Sequence, residues 1–232
     1  MDLQTEISRR GVFAAGAVAT GGLLLSSLAR PNEAAAAPAY SSQNETNPKF
    51  RATLSTKEGE IIASTHEAGI SLLEDGESAF KLRDVCSYHP NRDGSVTADY
   101  EVQLIKTPLI SPYTNKTDEI DETYAKVKTS FTYFFSNGGA SIQITKATGE
   151  VTLVFSTVIC EWSGLTVNQG LTGAQQLFKE FRTGSTSITT GWGAVPYMTS
   201  SASAMVMNGS MCETELRLIG MGDSILRVEA LI

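Results

Sequence analysis

The chain has 232 residues, of which 25 are acidic and 18 are basic, and its formal net charge at pH 7 is −7. This acidic balance, without a basic cluster, argues against nucleic acid and anionic lipid as partners. The length and the 41% of hydrophobic residues fit one domain with a sizeable core.

The N-terminus has the order of features of an export signal. Ser8-Arg9-Arg10 precedes a moderately apolar stretch, Ala14 to Leu28, and small residues follow it. These residues resemble a twin-arginine (Tat) export signal, in which Ser/Thr-Arg-Arg-x-Phe-Leu is usual; Val12 and Phe13 stand where that pattern has Phe and Leu. A signal peptide for the general secretory route is the alternative.

The resemblance implies a secreted or extracytoplasmic protein of a bacterial cell, exported by machinery that reads Arg9 and Arg10. The predicted cleavage follows Ala36 or Ala39, so residues 1–39 are assigned to the signal peptide. Residues 40–49 are polar and include a proline, which indicates a flexible lead-in. Residues 50–232 are then expected to form a single domain with no membrane association after cleavage.

Strand-like runs begin at Phe50, and the first clear hairpin lies between residues 78 and 105. Its first run alternates in polarity, and the segment Pro90 to Gly94 predicts a turn. The second run alternates strictly, with polar residues between apolar ones, and predicts a half-exposed strand. Its apolar face consists of Val96, Ala98, Tyr100, Val102 and Leu104.

The segment Val127 to Trp162 carries the strongest strand pattern. Aromatic and apolar residues alternate as far as Ser136, and Asn137-Gly138-Gly139 supplies residues that tolerate positive φ. We predict a second strand after this turn, another turn at Thr148-Gly149, and a third strand up to Trp162. Because the third run is apolar on both faces, it predicts a central strand of a three-stranded meander.

After Trp162 the composition changes to Gly, Ser and Thr, with one apolar island from Ala174 to Arg182. Leu177, Phe178 and Phe181 lie at i, i+1 and i+4, which predicts one short helix. Two alternating runs then close the chain as a last hairpin. About ten strand-like runs with regular turn signals predict an all-β antiparallel sandwich, which is favoured over a barrel because some runs alternate while others do not.

Three cysteines, Cys86, Cys160 and Cys212, are an odd number for an exported protein. One disulfide and one free thiol is the simplest arrangement, and Cys160 with Cys212 is the preferred pair because both fall late in strand-like runs. Three buried, reduced thiols are the alternative, and twin-arginine cargo that folds before export would favour it.

The sequence offers no assembled catalytic set and no cofactor motif. Only His66 and His89 are available as histidines. The run Gly222-Asp223-Ser224-Ile225 resembles the nucleophile block of the GDSL hydrolases, but that family places it early in the domain with a His far downstream, and no His follows here. We therefore read this run as the turn between the last two strands.

Sulfur ligands are concentrated near the C-terminus. Met205, Met207 and Met211 lie close to Cys212, and such soft ligands select Cu(I). Core packing is the favoured alternative, because Met fills irregular gaps between side chains.

The most suggestive binding feature is Trp192, which lies between two glycines and close to Tyr197. Flat aromatic side chains on a secreted sandwich stack on sugars or on partner side chains, and Trp162 is a third candidate. The favoured alternative is that Trp192 folds back to close one end of the sandwich, since Trp is heavily buried on average.

These observations predict an exported, non-enzymatic β-sandwich that binds a surface glycan or a cell-envelope protein, or that is structural in the envelope. A secreted hydrolase whose carboxylate pair is hidden in the sequence is the first alternative. A Met/Cys copper-handling protein is the second.

Overall fold

The computed structural model describes residues 48–65, 78–108, 122–170, 175–197, 208–218 and 222–232. All of them belong to one compact unit, Tyr40–Ile232. The predicted signal peptide with Arg9 and Arg10, His66, and two of the candidate sulfur ligands, Met205 and Met207, lie outside the described residues.

Two antiparallel sheets of six strands each form the fold, which confirms the predicted all-β sandwich. Sheet I has the order β2-β1-β12-β11-β7-β8, and sheet II has the order β10-β6-β5-β4-β3 with β9 also paired to β6. The strands are β1 (Lys49–Thr56), β2 (Ile61–Ser64), β3 (Ser78–Pro90), β4 (Val96–Pro108), β5 (Glu122–Ser136), β6 (Ser141–Leu153), β7 (Ile159–Gln169), β8 (Gln175–Phe181), β9 (Gly184–Thr189), β10 (Val195–Pro196), β11 (Gly209–Leu218) and β12 (Gly222–Leu231).

Polarity alternation decides which face of each strand lies inside. The predicted hairpin of β3 and β4 is confirmed, with the turn at residues 91–95, and the predicted apolar face of β4 lies almost wholly in the core. The last hairpin, β11 and β12, is confirmed in the same way. The core between the sheets is lined by the inward residues of both, including Leu54, Tyr100, Val127, Phe131, Ile144, Leu165, Leu216 and Leu226.

The predicted turn at Thr148-Gly149 is wrong, because β6 runs through both residues without a break. A Cβ on Gly149 would lie 3.3 Å from Leu165 Cδ1 and 3.4 Å from Cys212 Sγ, so this glycine allows sheet II to approach sheet I closely. The chain turns at residues 154–158 and then enters sheet I as β7. The predicted three-stranded meander is therefore a hairpin, β5 with β6, followed by a crossing to the other sheet.

The predicted helix from Ala174 to Arg182 is also wrong. Residues 175–181 form strand β8, which pairs with β7 from Gln169↔Gln175 to Ser163↔Phe181. A helix of this length is marginal by itself, so pairing with an existing sheet decides the structure. Among the described residues, no helix has the length and apolarity that a membrane-spanning segment requires.

Candidate functional site

The structure separates the three aromatic residues that the sequence singled out. Trp162 lies on β7 of sheet I, whereas Trp192 and Tyr197 lie on either side of β10, which pairs with β6 of sheet II. Each group has its own aromatic neighbours. We call Trp162, Gly164 and Phe178 the outer platform, and Phe131, Tyr133, Phe135 and Tyr197 the end cluster.

The end cluster is a row of ring contacts that leads out of the core along β5. Tyr133 contacts Phe131 with ring centroids 5.2 Å apart, Phe135 follows at 5.5 Å from Tyr133, and Tyr197 lies 5.0 Å from Phe135. The exposed fraction rises from 1% at Phe131 through 3% at Tyr133 to 37% at Phe135. Burial, with smaller effects of Tyr197 and Tyr88, raises the pKa of Tyr133 to about 12.

The loop that carries Trp192 is held by side-chain amides. Gln143 Nε2 donates to the Trp192 carbonyl at 2.5 Å, and Gln169 Nε2 donates to the Gly193 carbonyl at 2.8 Å. Gln169 is itself buried and accepts a hydrogen bond from the backbone N–H of Ile144, so one side chain links both sheets to the loop. Trp192 is partly buried and packs against the core, so part of its ring is covered.

The outer platform has a different construction, because it lies on the outward face of sheet I. The Trp162 and Phe178 rings are stacked, with centroids 6.1 Å apart and an interplanar angle of 21°, and Phe178 is 54% exposed. A Cβ on Gly164 would lie 2.5 Å from Phe178 Cε2 and 2.8 Å from Trp162 Cζ2. Only a glycine therefore allows both rings to rest against the β7 backbone.

Carboxylates flank the platform on both sides. In the strand register Gly164 pairs with Glu213 of β11 and with Glu180 of β8, and Trp162 pairs with Glu215. Glu213 accepts hydrogen bonds from Arg227, and Glu215 lies 2.5 Å from Lys57 Nζ. Glu180 is exposed and forms no ion pair with any residue in the described ranges. It therefore remains available beside the exposed Phe178 ring.

A chain of ion pairs borders the platform on the Trp162 side. Asp223 contacts Lys57 Nζ at 2.7 Å and Arg217 Nε at 3.0 Å, and these two hydrogen bonds lower the pKa of its carboxyl. Arg217 continues to Glu161 at 3.0 Å. Because acids and bases alternate, this border is largely neutralised, and Arg182, which follows β8, extends it at 3.9 Å from Glu161.

The predicted Cys160–Cys212 disulfide is wrong, since all three cysteines are free thiols. Cys160 pairs with Leu216 in the register of β7 and β11, so it lies four positions along β11 from Cys212 (216 − 212 = 4). This is about 13 Å in a strand, well beyond disulfide reach. Cys160 and Cys212 are buried, as the alternative expected, but Cys86 is exposed.

The candidate sulfur ligands in the described residues do not share a site. Met211 and Cys212 are neighbours on β11, so their side chains project from opposite faces of sheet I. Burial raises the pKa of the Cys212 thiol to about 12, which disfavours the thiolate that binds a metal. Within the described ranges, no three His, Cys, Asp or Glu side chains are grouped to hold a metal ion.

Sequence reasoning missed Phe178 and Gly164 as site residues. Phe178 was concealed by the helical spacing of its neighbours, which suggested a buried helix face. Gly164 lies two residues after Trp162 in a strand, and that spacing places both on one face. A glycine inside a strand often marks a close approach of another group to the backbone, and this was the signal that the sequence offered.

No protein-family model matches the chain, and no similar protein was found among curated proteins or solved structures. The fold and the site together define the class: a two-sheet antiparallel β-sandwich with an aromatic platform on the outward face of one sheet.

Proposed function

We propose that this is an exported, non-catalytic protein that binds an uncharged glycan at the outer platform. The observation that carries the proposal is the stacked Trp162–Phe178 pair on the outward face of sheet I, with Phe178 54% exposed. The exposed ring area takes no part in the core, so it is available to a ligand. Sugar rings present C–H faces that stack on such flat apolar surfaces.

The polar surroundings of the platform suit hydroxyl groups. Gln176, Phe178 and Glu180 alternate along β8, so all three side chains lie on the outward face. An amide and a carboxylate beside the ring offer donors and acceptors for sugar hydroxyls. Glu213 is paired with Arg227, but the carboxylate of Glu180 would repel uronate or phosphate groups, which favours an uncharged glycan over an acidic one.

The cysteines are consistent with export by the twin-arginine route. Cys160 and Cys212 are buried free thiols, as expected of a protein that folds before it is exported. The export proposal itself depends on Ser8, Arg9 and Arg10, and Arg9→Lys with Arg10→Lys should keep the protein inside the cell.

The binding proposal is tested by retention of the protein on insoluble uncharged polysaccharides, such as cellulose, xylan and chitin, with polygalacturonate as the acidic comparison. We expect retention on at least one uncharged polysaccharide, and a loss of about tenfold or more in affinity for Phe178→Ala. Phe135→Ala is the matched control, because it removes a partly exposed aromatic ring from the end cluster. Equal losses for the two variants, or no retention at all, would refute the proposal.

The hydrolase alternative rests on Glu180 and Glu213, which flank Gly164 in one row of the sheet. Their Cα atoms are two strand spacings apart, about 10 Å, and the side chains could bring the carboxyl groups to the roughly 6.5–9.5 Å of an inverting pair. If the wild type releases reducing sugar from a polysaccharide and Glu180→Gln does not, the protein is a hydrolase and not only a glycan-binding protein. If the platform binds a protein instead, no added polysaccharide should displace that protein.

A further inference from the structure

We propose that the protein self-associates through the free edge of β3, as a two-fold dimer in which the two β3 strands pair antiparallel with Cys86 opposite Cys86 of the second copy. This surface is remote in the sheet order from the outer platform, since β3 is an edge of sheet II and β8 is an edge of sheet I. The proposal is independent of glycan binding.

The exposure of β3 is the first observation. β3 has 13 residues and, among the described strands, pairs only with β4. Every residue from Arg83 to Pro90 is exposed, including Val85 at 61% on one face and Tyr88 at 51% on the other. An edge strand with apolar side chains exposed on both faces is a template for pairing with another strand.

The inward face of β3 is uncovered because β2, the nearest edge strand of sheet I, is short. β2 has only four residues, and the described chain after it reaches Thr65, which contacts Tyr100 at 3.2 Å. Tyr100 in turn donates to Asp84 Oδ2 at 3.1 Å. The side chains of Cys86 and Tyr88 lie beyond this contact.

The remaining described edges are poorer templates. β2 and β10 have four and two residues. The edges of β8 and β9 are linked to each other, because Lys179 of β8 donates to the Ser187 carbonyl of β9 at 3.2 Å. This carbonyl is therefore not available to a new strand. β3 is the longest free edge in the described chain.

Side-chain complementarity favours a second copy of this chain as the occupant, with the two-fold axis at Cys86. In a two-fold strand pair, the residue on the axis faces its own copy. An axis at Asp84 would oppose two carboxylates directly, which is unfavourable. An axis at Cys86 places Asp84 opposite Tyr88 of the second copy, where a hydroxyl can donate to the carboxylate, and Val85 opposite Ser87. The strand is thus complementary to itself.

This interface is small, because an axis at Cys86 pairs only the exposed residues 83–89, seven from each copy, and it therefore belongs among weak associations. Cys86 makes a weak dimer detectable. Directly opposed residues have Cα atoms about 4.5–5.5 Å apart, within disulfide range. Cys160 and Cys212 are buried and do not compete.

The test is disulfide trapping of the full-length protein by oxidised glutathione, followed on non-reducing gels. The Cys86 thiolate attacks oxidised glutathione and releases one glutathione thiolate; Cys86 of the second copy then attacks the mixed disulfide and releases the other. Each dimer bond therefore forms as two protein thiols lose their protons and one oxidised glutathione is reduced to two thiols. We expect a reducible dimer from the wild type and none from Cys86→Ser.

The register is tested in the Cys86→Ser background with Asp84→Cys and Tyr88→Cys. The proposed axis brings residue 84 of one copy opposite residue 88 of the other, whereas residues 84 and 84 are about 13 Å apart. An equimolar mixture should therefore cross-link at least about tenfold faster than either variant alone. Equal rates would mean random collision and would overturn the proposal.

The interface is tested by Val85→Lys with Cys86 retained, and Ile61→Lys on β2 is the control because Ile61 is 49% exposed. A lysine at the paired edge should slow dimer trapping by about tenfold or more, and the control should not. An unchanged rate of dimer trapping in Val85→Lys would overturn the proposal. Glycan retention depends on Phe178, so it tests the binding proposal independently of the dimer.

Discussion

The two aromatic clusters are built in opposite ways. The end cluster extends the core, and its rings become more exposed step by step along β5 from Phe131 to Phe135. The outer platform lies on the opposite face of sheet I from the core, and there Trp162 and Phe178 rest on the backbone at Gly164. An aromatic residue that the core does not require is the better candidate for a binding role.

The comparison also explains why Trp192 is the weaker candidate despite its flanking glycines. Its loop is fixed by Gln143 and Gln169, and its ring packs on the core. Local glycine content indicates freedom of the backbone, whereas exposure of the ring depends on what packs against it. The following variants test whether the clusters differ as described.

The largest effect is expected for Tyr133→Ala in the end cluster. Tyr133 is 3% exposed, so truncation leaves a cavity between rings and should lower the free energy of unfolding by about 3–5 kcal/mol. Phe178→Ala on the platform should cost less than about 1 kcal/mol, because most surface substitutions have small effects. Urea denaturation measures both, and equal costs would remove the distinction between the clusters.

The next effect is expected for Gln169→Leu, which removes the amide that links the sheets to the Trp192 loop. The backbone N–H of Ile144 and the carbonyl of Gly193 lose their partner, and a buried unsatisfied group costs about 1–3 kcal/mol. Trp192 fluorescence, recorded with Trp162→Phe to isolate it, should shift to longer wavelength. Gln176→Leu on exposed β8 is the control, and it should change neither the free energy of unfolding nor the Trp192 fluorescence.

The third effect is a pH dependence of stability that Tyr133 of the end cluster causes and the outer platform does not. Burial raises the pKa of folded Tyr133 from 10.0 to about 12, so the unfolded tyrosine loses its proton first. This contribution to stability is complete below about pH 10 and falls above it by at most about 1.4 kcal/mol per pH unit. Tyr133→Phe should flatten the slope between those pH values, while Phe178→Ala should leave it as in the wild type.

The smallest effect on stability is expected for Gly164→Ala. The new Cβ would meet the rings of Phe178 and Trp162, but the exposed Phe178 ring can swing outward, so the cost should stay below about 1 kcal/mol. Glycan retention should nevertheless fall, because the rings no longer stack. A cost of about 1–3 kcal/mol, typical of overpacking, would show that the platform behaves as core.

Much of the fold follows from the sequence alone, because a strand with one buried face alternates in polarity. The inward face of β4, the hairpin turns at Pro90 to Gly94 and Asn137 to Gly139, and the closing hairpin are all readable in this way. Local turn chemistry and a period of two need no knowledge of the partner strand. The candidate site was only partly readable: Trp162 was predicted, and Phe178 and Gly164 were not.

Tertiary packing decided the rest. Gly149 has the local signature of a turn, yet it lies inside β6 because Leu165 and Cys212 of the facing sheet occupy the space of its missing side chain. Residues 175–181 have helical spacing, yet they form a strand because β7 offers them an edge to pair with. Cys160 and Cys212 lie on neighbouring strands, yet their register keeps the sulfurs apart. Sequence determined which side chains point inward; which strands meet, and in which register, depended on contacts between residues far apart in the chain.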